Sequence, residues 1–519
     1  MVDDQEETIA FLARPESYGP GVAEVARIDT HASAVFLAGQ RVYKLKRAVR
    51  FSYLDYSSPE LRRRACEREV KLNRRTAPDL YLGVVPVTRG PSGLELGGEG
   101  EAVDWLVEMS RFDEAGLFDR MAAQGLLNER LMRDLADRVA EFHAAAEVDR
   151  AAGGAAAMAK VISGNDLNLR SAGATFAPGK VDRLRDASNE ALERLTALLD
   201  RRRESGHVRL CHGDLHLRNI CLFRGRPTLF DCVEFSDELA RIDVFYDLAF
   251  LIMDLRHRRL DRFANQVFNR YLDRREEADG LAAMPLLLSL RAAIRAHTGA
   301  AAAARQRDPE EAAILRREIA SYLDEALAFL APAAPVLVAV GGLSGTGKSS
   351  LAYALAPELG RAPGARVLRS DVLRKRLMGA APETRLAPAA YGPETTLRVY
   401  AGLRTEAAAA VASGQAVVAD AVFLREKERD AIAGVARAAG VPFLGLWLEA
   451  PPEVLESRIA ARRDDASDAT LSVLRMQGRQ VAGRIAWQRL DASPGRPDLV
   501  LEQARRVLAE SLPARGGTA

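Results

Sequence analysis

The chain has 519 residues, more than the roughly 250–300 that one hydrophobic core supports, so it predicts at least two domains. With 48% hydrophobic and 28% charged residues and a net charge of +2, it is neither disordered nor marked by a nucleic-acid footprint or an acidic tail. It lacks an apolar run of about 18 residues, and its start, "MVDDQEETIAFLARP", lacks the pattern of a secretion signal. We therefore expect a cytoplasmic protein with no membrane partner, whose four cysteines are reduced thiols.

The first strands carry a candidate nucleotide lysine. In "VFLAGQRVYKLKR", alternation places Val42 and Lys44 on one face of a strand, with Lys46 one step further on the same face as the second candidate. The helix "ACEREVKLNRR" then supplies Glu69 as the partner of this lysine, with Glu67 as its rival. A lysine on a strand and a glutamate on a helix are the parts that position the phosphates of a nucleotide.

The segment "RLCHGDLHLRNICLF" carries a candidate catalytic loop. Asp214 and Asn219 are five positions apart, the separation of a kinase's base and its metal ligand, and His212 supports the loop by packing and hydrogen bonding. The apolar strand in "TLFDCVEF" ends at Asp231, which is placed for a second magnesium contact. The ordered set predicts phosphoryl transfer.

These motifs, together with "RIDVFYDLAFL", resemble the aminoglycoside phosphotransferase-type kinases over roughly residues 30–330. The resemblance implies an α+β protein-kinase-like domain of two lobes, with Asp214 as the catalytic base and Asn219 and Asp231 as magnesium ligands. "VDWLVEMSRF" resembles the inter-lobe segment, and implies that the backbone of two residues meets adenine: Glu108 and Met109. Two later carboxylates are expected to start a helix or anchor a loop: Asp243 and Asp247.

Several differences from the motifs of protein kinases indicate which kind of kinase this is. Gly213 replaces the arginine of the protein-kinase loop, Cys-Val follows Asp231 in place of Phe-Gly, and no Ala-Pro-Glu segment follows. These differences disfavour a phosphorylation-regulated protein kinase. "DTHASAVFLAGQ" has no glycine-rich GxGxxG, and the helix at 254–277 has no acidic surplus for a polycation, so an aminoglycoside acceptor does not follow.

The chain changes character near residue 332. A helical segment ends in "APAAP", where the prolines cannot continue a helix, and the buried strand "VLVAV" follows. Apolar runs at 336–340, 416–419 and 443–448 alternate with helical stretches, which predicts an α/β domain with a parallel, doubly wound sheet. We predict a kinase-like domain over 1–331 and a P-loop domain over 332–519.

"VLVAVGGLSGTGKSSLAYALA" fits the P-loop pattern GxxxxGK[ST] between a buried strand and a helix. Its amides and helix N-terminus form an anion site, Lys348 reaches the β- and γ-phosphates, and Ser349 ligates magnesium. The predicted nucleotide-binding residues of the loop are Gly342, Ser344, Gly345, Thr346, Gly347, Lys348, Ser349 and Ser350.

Polar residues follow the next strands of this domain. "RVLRSDVLRKRL" places Asp371 and Arg374 at the end of a second strand, and "AVVAD" ends a third at Asp420, suited to a magnesium-bound water or to the acceptor. The segment "SRIAARRDDASDAT" has the character of a lid that closes on phosphates through Arg458, Arg462 and Arg463, although a solvated helix face explains the same pattern.

Over about 336–500 these segments resemble the small P-loop kinases of the polynucleotide-kinase, gluconate-kinase and zeta-toxin type. The resemblance implies that Asp371 activates the acceptor with Arg374 as its companion. The whole chain resembles bacterial fusions of the two kinase types.

The sequence thus predicts an enzyme with two fused phosphotransferase domains, each using ATP and Mg²⁺ to phosphorylate a hydroxyl of a small molecule. One alternative is a nucleotide-sensing or scaffolding protein with one pseudokinase domain. Another is a nucleic-acid-end kinase, disfavoured by the near-neutral charge, with a local basic groove formed by Arg369, Arg374, Lys375 and Arg376. The acceptors, the coupling of the domains and the oligomeric state stay open.

Overall fold

A computed structural model of the chain describes residues 5–30, 32–51, 54–304, 306, 308–461, 467–479, 483–493 and 495–511. The chain divides into two units, Met1–Met158 with Asp200–Asp254, and Ala159–Leu199 with Leu255–Ala519. Within the described ranges, every helix is too short or too polar to cross a lipid bilayer.

The strands of the described chain, in order, are β1 (Val25–Asp29), β2 (Ser33–Ala38), β3 (Arg41–Lys46), β4 (Arg50–Phe51), β5 (Leu54–Asp55), β6 (Tyr81–Gly90), β7 (Gly93–Leu96), β8 (Glu101–Ser110), β9 (Val208–Leu210), β10 (Ile220–Phe223), β11 (Arg226–Leu229), β12 (Arg241–Asp243), β13 (Leu337–Gly342), β14 (Arg366–Arg369), β15 (Val417–Asp420), β16 (Phe443–Glu449) and β17 (Gln488–Asp491). The α-helices are α1 (Glu6–Leu12), α2 (Pro59–Asn73), α3 (Phe118–Ala123), α4 (Glu129–Ala145), α5 (Gly154–Ser171), α6 (Pro178–Glu204), α7 (Asp237–Ala240), α8 (Val244–His257), α9 (Asp261–Arg274), α10 (Met284–Ala303), α11 (Pro309–Leu330), α12 (Lys348–Leu355), α13 (Ser370–Leu377), α14 (Pro393–Ala412), α15 (Glu426–Ala439), α16 (Pro452–Ala460), α17 (Leu471–Gly478) and α18 (Pro497–Ser511).

The first unit is built on a six-stranded antiparallel sheet in the order β1-β2-β3-β8-β6-β7. Helix α2 begins at Pro59 because Ser58 caps it, its hydroxyl accepting a hydrogen bond from the Leu61 amide. Cys66 and Val70 on this helix pack into one core with the sheet. The predicted two-lobed kinase-like fold is confirmed, and the sheet with α2 presents the residues of its smaller lobe.

The second unit contains a five-stranded parallel sheet in the order β14-β15-β13-β16-β17. Its middle strand β13 is buried at every residue, which explains the continuous apolar run in the sequence. The predicted parallel α/β domain is therefore confirmed, and the carboxyl ends of β13, β14 and β15 meet at one edge of the sheet.

Helix α9 covers the edge strand β14 within this second unit. Asn265, Asn269 and Asp273 are four residues apart and share one face of α9. The Asn269 side chain accepts from the Val367 amide at 2.7 Å and donates to the Ala365 carbonyl at 3.1 Å. Arg366 pairs with Asp273 at 2.7 Å.

Residues 331–335 lie between α11 and β13, and the predicted domain boundary at 332 stays a prediction.

Candidate active sites

Lys44 and Glu69 form an ion pair between β3 and α2. Lys44 Nζ lies 2.9 Å from Glu69 Oε1, and the Glu69 side chain is completely buried. Burial alone raises the pKa of Glu69, but Lys44 and Lys46 hold it at about 2, so the pair is ionised at neutral pH. The rival Glu67 is exposed on α2 and pairs with Arg63 at 3.7 Å.

Asp231 joins this pair from the end of the segment after β11. Its Oδ1 lies 2.7 Å from Lys44 Nζ, and its side chain is 43% exposed, so a ligand can reach it. The residue has a positive φ of 60°, a conformation that costs free energy for a residue other than glycine. The Tyr81 hydroxyl, 3.1 Å from the Asp231 amide, helps to hold it there.

The loop at 212–219 brings the predicted base and metal ligand together. Asn219 Nδ2 donates to Asp214 Oδ2 at 2.9 Å and to the Asp214 carbonyl at 3.0 Å, which directs the amide oxygen elsewhere. His216 Nε2 lies 3.3 Å from Asp214 Oδ2. The Asp214 side chain is 40% exposed, as a base that meets an outside hydroxyl requires.

His212 and the strand pairing fix this loop beside Asp231. His212 Nδ1 accepts from the Asp214 amide at 3.3 Å, and Nε2 lies 2.9 Å from the Phe230 carbonyl, so the neutral tautomer with hydrogen on Nε2 satisfies both. The Phe230 amide donates to the Asn219 carbonyl at 3.0 Å. The supporting role predicted for His212 is confirmed.

Two buried carboxylates anchor the loop and the following helix. Asp247 accepts hydrogen bonds from the amides of His212 at 3.0 Å and Gly213 at 2.9 Å. Asp243 accepts from the Phe245 amide at 2.8 Å, at the start of α8, and pairs with the buried Arg202 at 2.8 Å. The anchoring roles predicted for Asp243 and Asp247 are confirmed.

Glu108 and Met109 lie inside β8, the strand between β3 and β6. Glu108 is paired with Tyr43 on one side and Gly83 on the other. A register shift between Tyr81 and Gly83 lies opposite these two residues, and the adenine contact that the resemblance implies for them stays a prediction. The strand ends at Ser110, and the Arg111 amide donates to the Gln40 carbonyl at 2.9 Å.

The phosphate loop lies between β13 and α12, as its motif predicts. Gly342 has a φ of +138°, and a Cβ there would lie 2.5 Å from the Leu448 carbonyl, so only glycine fits. Lys348 Nζ and Thr346 Oγ1 each donate to the Leu343 carbonyl at 2.9 Å, and the Ser344 amide donates to Gln477 Oε1 at 3.0 Å. The loop residues from Gly342 to Ser349 are thus brought together, while Ser350 is exposed on α12.

The carboxylates of the P-loop domain meet beside this loop. Ser349 Oγ donates to Asp420 Oδ2 at 2.5 Å, and Arg369 Nε lies 3.4 Å from the same oxygen. Asp371 lies in the first turn of α13, and burial raises its pKa, with Arg369 opposing the shift. A carboxyl with a raised pKa next to a Ser–Asp pair of oxygen donors suits general-base work beside a hard cation.

Two of the predicted arginines, Arg374 and Arg458, make contacts with backbone carbonyls. Arg374 is buried and turns toward a neighbouring segment, donating to the Ala390 carbonyl at 2.9 Å and lying 4.8 Å from the Tyr391 ring centroid. The companion role that the resemblance implies for Arg374 stays a prediction. Arg458 donates to the Ala492 carbonyl at 2.7 Å. Arg462, like Arg463, lies outside the described residues.

Sequence reasoning missed three contributors to these sites. Glu234 contacts Lys46, Asn73 accepts from the Cys232 amide at 2.8 Å, and Gln477 reaches the phosphate loop. The one sequence feature that pointed to any of these contacts is that Lys46 shares a strand face with Lys44. The other contacts join residues more than a hundred positions apart, which no local pattern encodes.

Comparisons with known proteins match the two regions of the chain that contain these residues. A family model described as a phosphotransferase enzyme family matches residues 33–286, and one described as an AAA domain matches residues 337–483. An uncharacterized protein from Mycobacterium tuberculosis and one from Mycobacterium bovis are each 30% identical over 453 residues, covering 86% of this chain and 88% of the relative.

Among solved structures, the amicoumacin kinase hAmiN in complex with AMP-PNP, Ca²⁺ and Ami is similar over 62% of this chain and 94% of its own, with 16% identity and a TM-score of 0.38. A gluconokinase from Sinorhizobium meliloti is similar over 34% of this chain and 93% of its own, with 23% identity and a TM-score of 0.25. Scores this low carry no argument of their own.

Proposed function

The chain belongs to the phosphotransferase enzyme family, and its phosphotransferase domain is followed by an AAA-type P-loop kinase domain. On this basis we propose that both domains transfer the γ-phosphoryl group of ATP to a hydroxyl of a small molecule. The chain is an ATP-dependent kinase. The near-neutral charge favours small-molecule acceptors over nucleic-acid ends, and the use of ATP favours the cytoplasm.

One observation carries the proposal for the N-terminal domain: the Lys44–Glu69 pair, Asp231, and the Asp214–Asn219 pair are already assembled. In the proposed reaction Lys44 holds nucleotide phosphates, and Asp214 orients the acceptor hydroxyl and takes its proton. The Asn219 amide oxygen and the Asp231 carboxylate are hard oxygen donors, which fits magnesium. Bound there, Mg²⁺ would neutralise charge on the phosphates.

The P-loop domain offers an equivalent set on an unrelated fold. Its loop amides and Lys348 would bind the phosphates, and Asp371 would take the proton of the second acceptor. The hydrogen bond between Ser349 and Asp420 brings together two oxygen donors that suit magnesium. The raised pKa of Asp371 supports its assignment as a base.

The test is ATP turnover and phosphoryl transfer to extracted metabolite pools by Asp214→Asn, Lys348→Ala and the double variant of the full chain. We expect each single variant to lose one set of phosphorylated products, with Asp214→Asn lowering its reaction by about 10²–10⁴-fold, and the double variant to lose both. Asp134→Asn and Lys427→Ala, which change exposed residues of the same two types, are the controls. If both single variants keep wild-type turnover and transfer, the site assignment is wrong, and binding without turnover would indicate a nucleotide sensor.

A further inference from the structure

A second lysine shares the buried glutamate of the N-terminal site. Lys44 and Lys46 are two residues apart on β3 and point to the same side of the sheet. Lys44 Nζ contacts Glu69 Oε1, and Lys46 Nζ contacts Glu69 Oε2. Each carboxylate oxygen of Glu69 therefore has its own ammonium partner.

Lys46 is enclosed on its other side by Glu234 and Tyr56. Its Nζ contacts Glu234 Oε1, which also accepts a hydrogen bond from the Tyr56 hydroxyl at 3.1 Å. The Tyr56 ring centroid lies 5.4 Å from Lys46 Nζ. The Lys46 side chain is 2% exposed and that of Glu234 10%, so this arrangement is shielded from solvent.

The exposure of the two lysines separates their roles. The Lys44 side chain is 16% exposed and its other partner, Asp231, is 43% exposed, so a nucleotide can approach Lys44. Lys46 is surrounded by two carboxylates and a ring, and a phosphate would have to displace them. Lys44 is thus the lysine that can contact a nucleotide phosphate, and Lys46 is held by its contacts with protein side chains.

We propose that Lys46 and Glu234 are positioning residues, which hold Glu69 in place so that Glu69 can orient Lys44 toward the nucleotide. The inference rests on the proposed kinase function of this domain. A buried glutamate with a single lysine partner would follow that lysine when it turned toward phosphate, because an unpaired buried carboxylate is costly. With Lys46 fixed on its second oxygen, Glu69 keeps its place, and Glu234 balances the charge of Lys46.

The experiment measures binding of AMP-PNP with Mg²⁺ by titration calorimetry to the full chain carrying Lys348→Ala, which removes the phosphate lysine of the other domain. Glu234→Gln is the decisive variant, because a purely electrostatic role and a positioning role of Glu234 predict opposite changes in the Kd for AMP-PNP. Removing a carboxylate near an anionic ligand should tighten binding by simple electrostatics, whereas loss of the positioning contact should weaken it. We expect Kd to rise about tenfold, the scale on which loss of an outer-shell partner weakens a site.

Calorimetry also separates positioning from misfolding, since partial unfolding lowers the stoichiometry of binding without changing Kd. Lys46→Met should weaken binding in the same direction, and Glu67→Gln, which removes an exposed carboxylate from the same helix, should leave Kd unchanged. If Lys44→Met abolishes binding while Glu234→Gln leaves Kd within twofold or tightens it, the inference is overturned and the proposed function stands. If Lys44→Met binds normally, the proposed site itself is wrong.

Discussion

Replacing Asn269 by alanine tests how strongly α9 stabilises the P-loop sheet. The side chain is fully buried, and its oxygen and nitrogen bind the Val367 amide and the Ala365 carbonyl of the edge strand. Alanine leaves the Val367 amide buried without this partner, at a cost of about 1–3 kcal/mol, whereas the Ala365 carbonyl keeps the hydrogen bond from Asn265 Nδ2 at 3.1 Å. The variant should therefore lose about 1–3 kcal/mol of the free energy of unfolding of this unit.

Urea unfolding followed by tryptophan fluorescence measures this loss, because Trp447 and Trp487 both lie in the second unit. With a slope of about 3 kcal/mol per M, a loss of about 2 kcal/mol lowers the midpoint by about 0.7 M. Asn189→Ala, at an exposed position of α6, is the matched control and should leave the midpoint unchanged. Equal midpoints for the two variants would refute the argument that Asn269 satisfies the strand edge.

Two further predictions concern the catalytic loop and pH. Gly213 has a φ of +84°, and a Cβ there would lie 2.9 Å from the Leu239 carbonyl. Gly213→Ala should therefore displace Asp214 and lower ATP turnover in the Lys348→Ala background by about 100-fold. Unchanged turnover would contradict this prediction. Burial lowers the pKa of His297 to about 4, so the unfolded chain binds a proton first as the pH falls below about 6.5. The free energy of unfolding should fall by at most about 3 kcal/mol between pH 6.5 and 4 through this residue, and His297→Gln should flatten that slope in urea titrations; equal slopes would count against it.

The sequence alone predicted the parts of each site that lie within one short segment. Asp214 and Asn219 face each other because five residues of one loop separate them, and the phosphate loop needs only a strand, glycines and a helix start. Periodicity also predicted the buried strand at β13 and the paired lysines of β3. These features depend on local geometry, which neighbouring residues determine.

What the sequence could not predict depends on contacts between distant segments. Lys46 and Glu234 are 188 positions apart, so the sequence around either residue does not indicate their contact. Arg374 follows Asp371 by one helical turn, yet its guanidinium packs against the segment at 390–396, whose position only the tertiary fold sets. The alternation in the sequence also does not mark where β8 ends, and the adenine contact expected at Glu108 and Met109 stays a prediction.

The segment from Asp231 to Glu234 has a long-range anchor at each of its four residues. The amides donate in turn to the Tyr81 hydroxyl, the Asn73 side chain and the His212 carbonyl, and the last residue binds Lys46. Flipping this segment out of the cleft would break all four at once. The fold therefore ties the position of Asp231 to three other segments of the chain, so a substitution at Tyr81, Asn73 or His212 would reach the nucleotide site without touching a ligand.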